Sequence, residues 1–321
     1  MPKSHWKLNA LVALGVMSAT GCNSSQLTGS TPEPAGNGAV VTDPAATAAA
    51  NQDDPLTVVV SIPPQKYFVE RVGGDRVEVS VLLPPGSSPA TFEPRPDQLQ
   101  SISRADAYVR IRVPFENAIW ERIHSVNPEM AVVDLTEDID RVDMATRKPG
   151  SSSAATDTPR NPDPHIWLSP PLVQEQAQTI YEALVTLDPA GETTYADNLE
   201  QFQADIAQLD QTIEDSLANV ESPTFMVFHP AWGYFADAYG LEMLPIEVGG
   251  NEPSAAELSQ LIQKAQAEEI EVVFAQPQFN TEDAETIARD IGGEVILLDP
   301  IAEDWLSNMQ QVATTFEQVL D

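Results

Sequence analysis

The sequence is short of cysteine, of basic residues and of long apolar runs, and each shortage excludes a class of protein. One cysteine, Cys22, occurs among 321 residues, which excludes an intramolecular disulfide framework and a cysteine-based zinc knuckle. Lys and Arg number 16 against 49 Asp and Glu, so the formal net charge is -33. A surface of this sign repels nucleic acid and anionic lipid and concentrates cations. The sequence therefore predicts no nucleic-acid partner.

The N-terminal residues have the order of a secretory signal. Lys3 and Lys7 precede a mostly apolar stretch over residues 8–19, and small residues lead to Cys22. A dozen apolar residues are too few to span a bilayer, and we expect no membrane helix later in the chain, because no later stretch is long and apolar enough. The order resembles a bacterial lipobox, although Ala19 stands where Leu is usual. We expect a signal peptide over 1–21 and a lipid-modified Cys22, the alternative being an ordinary cleaved signal.

Behind the signal, the sequence predicts a flexible tether and then two α/β lobes. Residues 22–54 are rich in Ser, Thr, Ala, Pro and Gly and show no apolar periodicity, as is typical of a spacer. From there on, β-branched runs alternate with helical patterns, which favours parallel sheets. Strands are expected at 56–62, 77–83, 107–111, 131–135, 224–228, 243–248, 271–275 and 294–298.

A long helix divides the two sets of strands. Apolar residues recur at steps of three and four from Tyr195 to Val220, and no Gly or Pro interrupts residues 192–222. The predicted organisation has five parts, namely a signal peptide at 1–21, a tether at 22–54, an N-terminal lobe at 55–188 with a mobile loop at 144–164, a spine helix at 189–221 and a C-terminal lobe at 222–321.

Three side chains that can bind metal stand at positions where α/β proteins bind ligands. His229 and Asp299 each follow a predicted strand, and His165 lies between Pro164 and an apolar segment. Ligands bind beyond the carboxyl ends of parallel strands, and imidazole nitrogen with carboxylate oxygen suits a divalent ion such as zinc. Their spacing also fits a hydrogen-bonded loop histidine and an Asp that caps a helix.

Several ordered motifs carry a resemblance to a known family. They are Pro-Pro-Gly-Ser-Ser-Pro-Ala-Thr-Phe-Glu-Pro at 84–94, Asp-Pro-His-Ile-Trp-Leu-Ser-Pro at 163–170, Phe-His-Pro-Ala-Trp-Gly-Tyr-Phe at 228–235, Glu-Pro-Ser at 252–254 and Leu-Asp-Pro at 298–300. From about residue 56 to its end, the chain resembles the zinc/manganese solute-binding proteins of bacterial ABC importers, the ZnuA-like family of the TroA superfamily. The resemblance implies two lobes bridged by a long helix and one ion held in the cleft by His165, His229 and Asp299.

The same resemblance implies a function and a location. We expect an extracytoplasmic receptor, periplasmic or on the cell surface, that is a monomer attached to the membrane through its N-terminal lipid only. It would bind Zn²⁺ as its transported ligand, with Mn²⁺ or another divalent ion as alternatives, and deliver it to an ABC permease. Manganese-type relatives generally carry a carboxylate where His229 stands, so two imidazoles with one carboxylate favour zinc.

One family position departs from the pattern. Relatives usually carry His where this chain has Ala90, and a methyl group cannot coordinate metal. Water could complete a three-ligand site, or a carboxylate could turn inward. The candidate carboxylates are Glu93, Glu247 and Glu252.

Two other functions remain open from the sequence. Loss of the ligand at Ala90 fits a receptor-like protein with altered or lost metal specificity that serves in adhesion or binds another ligand. A zinc hydrolase could use two His, one Asp and bound water. The hydrolase lacks a general base, because the chain has no His-Glu-x-x-His helix, no Ser-His-Asp arrangement and no Gly-rich phosphate loop. We therefore expect a binding protein and not an enzyme.

Overall fold

The computed structural model describes residues 54–144, 161–220, 222–247 and 253–320, all of which belong to one compact unit of the chain. The described residues form eight strands in two groups of four. The first group is β1 Leu56–Val60, β2 Val77–Val81, β3 Ala107–Arg110 and β4 Ala131–Asp134. The second is β5 Thr224–Val227, β6 Glu242–Pro245, β7 Val272–Ala275 and β8 Glu294–Leu297.

Helices connect these strands. They are α1 Pro63–Gly73, α2 Pro96–Ile102, α3 Pro114–Val126, α4 Pro170–Leu187, α5 Glu192–Leu217, α6 Gly233–Ala238, α7 Ala255–Ala267, α8 Glu282–Ile291 and α9 Trp305–Leu320. The first four helices all begin with proline. Proline suits a first turn because its fixed φ is already helical and the N–H that it lacks has no partner there. Pro63 therefore both ends the first strand region and begins α1.

The two sheets have the same topology. Their strand orders are β2-β1-β3-β4 and β6-β5-β7-β8, and every pair is parallel. Val58, Val59 and Val60 on the central strand β1 are completely buried, as expected of a parallel strand covered on both faces. The expectation of two similar α/β lobes with parallel sheets is confirmed.

Helix α5 is the long helix that the periodic pattern predicts. Its 26 residues extend about 39 Å. The seven apolar residues that recur along it are all buried: Tyr195, Leu199, Phe202, Ile206, Leu209, Ile213 and Leu217. It packs against α1 and α4 of the N-terminal half and against α9 at the end of the chain.

Helix α9 also contacts both halves of the chain. Near its start, the ring of Trp305 lies 5.3 Å from that of Phe68 on α1. Near its end, Phe316 lies 4.8 Å from both Phe225 on β5 and Phe274 on β7. Apolar side chains of the two sheets, α5 and α9 form one continuous core, while a smaller cluster lies between the second sheet, α7 and α8. The two sheets are thus joined by two helices.

Some predicted features lie outside the described residues. They are the signal peptide, Cys22, nearly all of the tether, Glu252 and residues 145–160 of the predicted mobile loop. Within the part of the chain that the structure describes, no helix combines the length and the apolar character needed to cross a membrane. The proposed domain boundaries remain predictions.

Candidate metal site

Two of the three predicted ligands meet in one cleft. The ring centroids of His165 and His229 lie 5.4 Å apart, with the ring planes at 74°. His165 follows the Asp163-Pro164 pair at the start of a short 3₁₀ turn, and His229 lies two residues beyond the end of β5. The ring of His229 stacks on Phe279 at 5.2 Å, and that of His165 lies 5.2 Å from Trp167. Residues 64 positions apart in the sequence thus form one site.

A carboxylate orients each imidazole. His165 Nδ1 lies 2.6 Å from Asp163 Oδ1, and His229 Nδ1 lies 2.6 Å from Glu247 Oε2. An ionised carboxylate can only accept, so each Nδ1 carries the proton and donates it. When such a ring is neutral its lone pair is therefore on Nε2, the ring nitrogen that can bind a cation. Histidines that ligate metals in proteins almost always have such a partner on the other ring nitrogen.

Asp299 lies close to this cleft but is held by other groups. Its Oδ1 accepts hydrogen bonds from Gln278 Nε2 at 2.7 Å and from the Ile301 backbone N–H at 2.9 Å. Gln278, Pro300 and Ile301 line the cleft together with the two histidines. Among the described residues, no group of three or more His, Cys, Asp or Glu side chains is placed to hold a metal ion. The structure therefore brings together two of the predicted ligands, with the third beside them.

The predicted fourth-ligand candidates lie in different surroundings. Glu93 is exposed and does not line the cleft. Glu247 is buried and bonded to His229 Nδ1. Ala90 lies on the cleft wall with Ser88 and Pro89, so a side chain at position 90 would face the same space as the imidazoles.

Indole hydrogen bonds join the segment of His165 to the segment of Asp299. Trp167 Nε1 donates to the carbonyl of Pro300 at 2.6 Å, and Trp305 Nε1 donates to the carbonyl of Trp167 at 2.7 Å. Both indoles are buried, so these bonds are protected from water. The two tryptophans are 138 residues apart, and the sequence contains no signal of this contact.

A tyrosine joins the two histidine segments in a similar way. Tyr234 on α6, five residues after His229, donates its hydroxyl to the carbonyl of Asp163 at 3.1 Å and accepts from the Val142 N–H at 3.2 Å. Burial raises the pKa of Tyr234 well above its ordinary value, and the neighbouring Asp163 carboxylate raises it further. The hydroxyl therefore keeps its proton and remains a donor at every physiological pH.

A family model matches most of the chain. The model of the ZnuA family, described as zinc-uptake complex component A, periplasmic, matches residues 58–319. The chain belongs to the ZnuA family. This membership confirms the family resemblance of the motifs. The matched residues span both sheets and include His165, His229 and Asp299.

Individual relatives and solved structures match this chain over most of their length. The high-affinity zinc uptake system protein ZnuA of Bacillus subtilis (strain 168) is 28% identical over 257 residues, which cover 79% of this chain and 81% of the relative. A crystal structure of a ZnuA deletion mutant with zinc bound has a TM-score of 0.77 at 43% identity, covering 84% of this chain and 99% of that one. A mutant laminin-binding adhesin (Lmb) from Streptococcus agalactiae has a TM-score of 0.71 at 25% identity, covering 83% and 100%.

Proposed function

We propose that this chain is the extracytoplasmic substrate-binding lipoprotein of a metal ABC importer. It binds a divalent transition metal, chiefly zinc, in the cleft between its two sheets and delivers the ion to a permease. His165, His229 and Asp299 are the protein ligands. No covalent bond is made or broken in this function.

The observation that carries the proposal is the pair of oriented imidazoles. Their rings lie 5.4 Å apart, and both Nδ1 atoms are occupied by carboxylates. A histidine pair that served only in packing would not need both rings fixed in the same tautomer. The arrangement leaves two Nε2 lone pairs in one cleft. Imidazole nitrogen is one of the ligands by which zinc is commonly bound in proteins.

Charge supports the same reading. The carboxylates of Asp163, Glu247 and Asp299 lie at or next to the cleft, and the chain as a whole carries a formal charge of -33. Their field attracts a divalent cation and stabilises it once it is bound. On binding, the Asp299 carboxylate coordinates the ion. The three ligands then come from segments on both sides of the cleft.

Delivery requires the protein to be held near its permease. A lipid on Cys22 would supply the anchor, and the residues that follow would supply the tether. The protein then acts as a monomer that needs only small hinge or shear movements, because α5 and α9 both join its two halves. Release follows if the permease binds the empty form better than the loaded form.

The proposal is tested with a double variant, His165→Ala/His229→Ala. We expect the purified wild type to retain zinc after gel filtration and the double variant to retain none, because both nitrogen donors are gone. His124→Ala is the matched control, since His124 is exposed on α3 and stacks on Trp120 away from the cleft. Zinc retained by the double variant at the wild-type stoichiometry contradicts the ligand set.

A second function is favoured by one comparison, the adhesin-like fold of a laminin-binding protein. Here the chain would be a receptor of altered metal specificity, consistent with the missing ligand at position 90. A wild type that binds neither zinc nor manganese, yet binds immobilised laminin, supports this function over metal transport.

A further inference from the structure

One residue that lines the metal cleft carries a buried oxygen without a hydrogen-bond partner. Four buried side-chain polar atoms of the described residues have no hydrogen-bond partner: Gln176 Oε1, Trp232 Nε1, Gln276 Oε1 and Gln278 Oε1. Of these four, Gln278 alone belongs to a residue that lines the cleft with His165 and His229. A buried acceptor without a partner is costly, so it calls for a donor or a cation.

The orientation of this amide is determined by its neighbour. Gln278 Nε2 lies 2.7 Å from Asp299 Oδ1, a carboxylate oxygen that can only accept. The NH₂ group must therefore point to Asp299, and the carbonyl oxygen is left as the unpaired atom. Asp299 thus fixes which atom of Gln278 is available to a ligand.

We propose that Gln278 Oε1 is the metal ligand that replaces the histidine missing at Ala90. This inference rests on the proposed function and completes its site as two imidazole nitrogens, one carboxylate oxygen and one amide oxygen. Gln278 and Ala90 both line the cleft that contains the two imidazoles. The NH₂ group keeps its bond to Asp299 and brings the two oxygen ligands together.

The replacement changes the selectivity of the site. An amide carbonyl is a harder ligand than imidazole and suits manganese better, while imidazole favours zinc. A site with Gln278 in place of a third histidine therefore binds zinc less selectively over manganese. With this ligand set, the protein accepts manganese as well as zinc.

Two variants of Gln278 separate a ligand from a positioning residue. Gln278→Leu removes both amide atoms, and we expect it to weaken zinc binding on the order of 10-fold or more in a competition titration with a chromogenic chelator. Gln278→Glu keeps an oxygen ligand but cannot donate to Asp299, so we expect it to retain most of the wild-type affinity. Equal losses in both variants overturn the proposal, because Gln278 would then act only through Asp299.

A rescue experiment tests the replacement itself. Adding Ala90→His to Gln278→Leu should restore zinc affinity to at least the wild-type level while leaving manganese affinity low, because imidazole then supplies the fourth ligand. Gln266→Leu on the exposed side of α7 is the control, since Gln266 Nε2 also donates one hydrogen bond but lies in another part of the fold. Thermal melts of the metal-free variants establish that each is folded.

The outcomes distinguish this inference from the proposed function. If the wild type binds zinc through His165 and His229 but Gln278→Leu binds zinc and manganese as tightly as the wild type, the role of Gln278 is wrong and the transport function stands. If the wild type binds no metal, both fail.

Discussion

At the residue scale, the local sequence identifies the two histidines but not the orientation of their rings. His165 and His229 are recognisable because each lies in a distinctive motif and His229 comes just after a strand. Their orientation is not recognisable, because it depends on Asp163 and Glu247, and Glu247 lies 18 residues from its partner. The sequence suggests Glu247 as a ligand, whereas its carboxylate contacts the ring nitrogen of another predicted ligand.

Gln278 gave no signal in the sequence for a related reason. An amide has no titratable group, and its neighbours Pro277 and Phe279 suggest only a loop after β7. Its availability follows from which group Asp299 accepts from, and this contact spans 21 residues. A ligand role that depends on an unpaired atom can be recognised only once the hydrogen-bond partners of the residue are known from the structure.

A buried carboxylate on α3 makes stability depend on pH. Glu116 is completely buried and accepts hydrogen bonds from Ser61 Oγ, Arg110 Nε and the N–H groups of Ile111 and Arg112. Burial raises its pKa from 4.5 to about 7, against the opposing effect of these bonds and of the Arg110 charge. The folded state therefore binds a proton that the unfolded state releases between these two values.

We expect the wild type to lose stability relative to Glu116→Gln as the pH rises. The contribution of the protonated carboxyl is fully present below about pH 4.5 and is lost as the pH rises through about 7. The full difference is on the order of 3 kcal/mol, which urea unfolding of both proteins between pH 4.5 and 8 would measure. A constant difference across this range would show that folding does not raise the pKa of Glu116.

At the element scale, the connecting segments position the cleft more than the strands do. The 3₁₀ turn Ile166–Leu168 carries Trp167, and the turn before α9 carries Pro300. The indole bond between these residues fixes the distance between the loop of His165 and the loop of Asp299. The site is thus held by contacts between loops as well as by the ends of the sheets.

Removing this bond should loosen the site without removing a ligand. Trp167→Phe keeps an aromatic ring but leaves the Pro300 carbonyl without its donor. Metal binding must then itself order the two loops that the hydrogen bond holds together in the wild type. We expect zinc affinity to fall roughly fivefold, equivalent to about 1 kcal/mol. Isothermal titration measures the change, and Trp120→Phe on α3 is the control, because Trp120 contacts Arg110 and His124 instead of the cleft. Equal zinc affinity in Trp167→Phe and the wild type contradicts a positioning role.

Element types are predictable from the sequence where the pattern is local. The apolar periodicity of α5 identifies its buried face residue by residue, since all seven recurring residues within the helix are buried. The amphipathic pattern of α9 predicts a helix but not its neighbours. Trp305 and Phe316 contact opposite halves of the chain, and no periodicity encodes which partner a buried ring meets.

At the scale of the whole molecule, the two sheets share one core. The continuous cluster contains Val58 and Phe68 from the first half and Phe225, Phe274 and Phe316 from the second. Two independent domains joined by a linker would instead have separate cores, and each could unfold alone. Joining by α5 and α9 means that neither half can lose its packing without exposing apolar surface of the other.

We therefore expect the described part of the chain to unfold in one cooperative transition by calorimetry. Phe316→Ala should lower the midpoint of that transition without splitting it, because the completely buried ring packs on both β5 and β7 and its removal costs about 3–5 kcal/mol. Leu297→Ala is the control, since Leu297 is 54% exposed and its loss should change little. Two separated transitions in the wild type would show that the halves unfold independently. In that case zinc should raise the midpoints of both transitions, because its proposed ligands come from both halves of the chain.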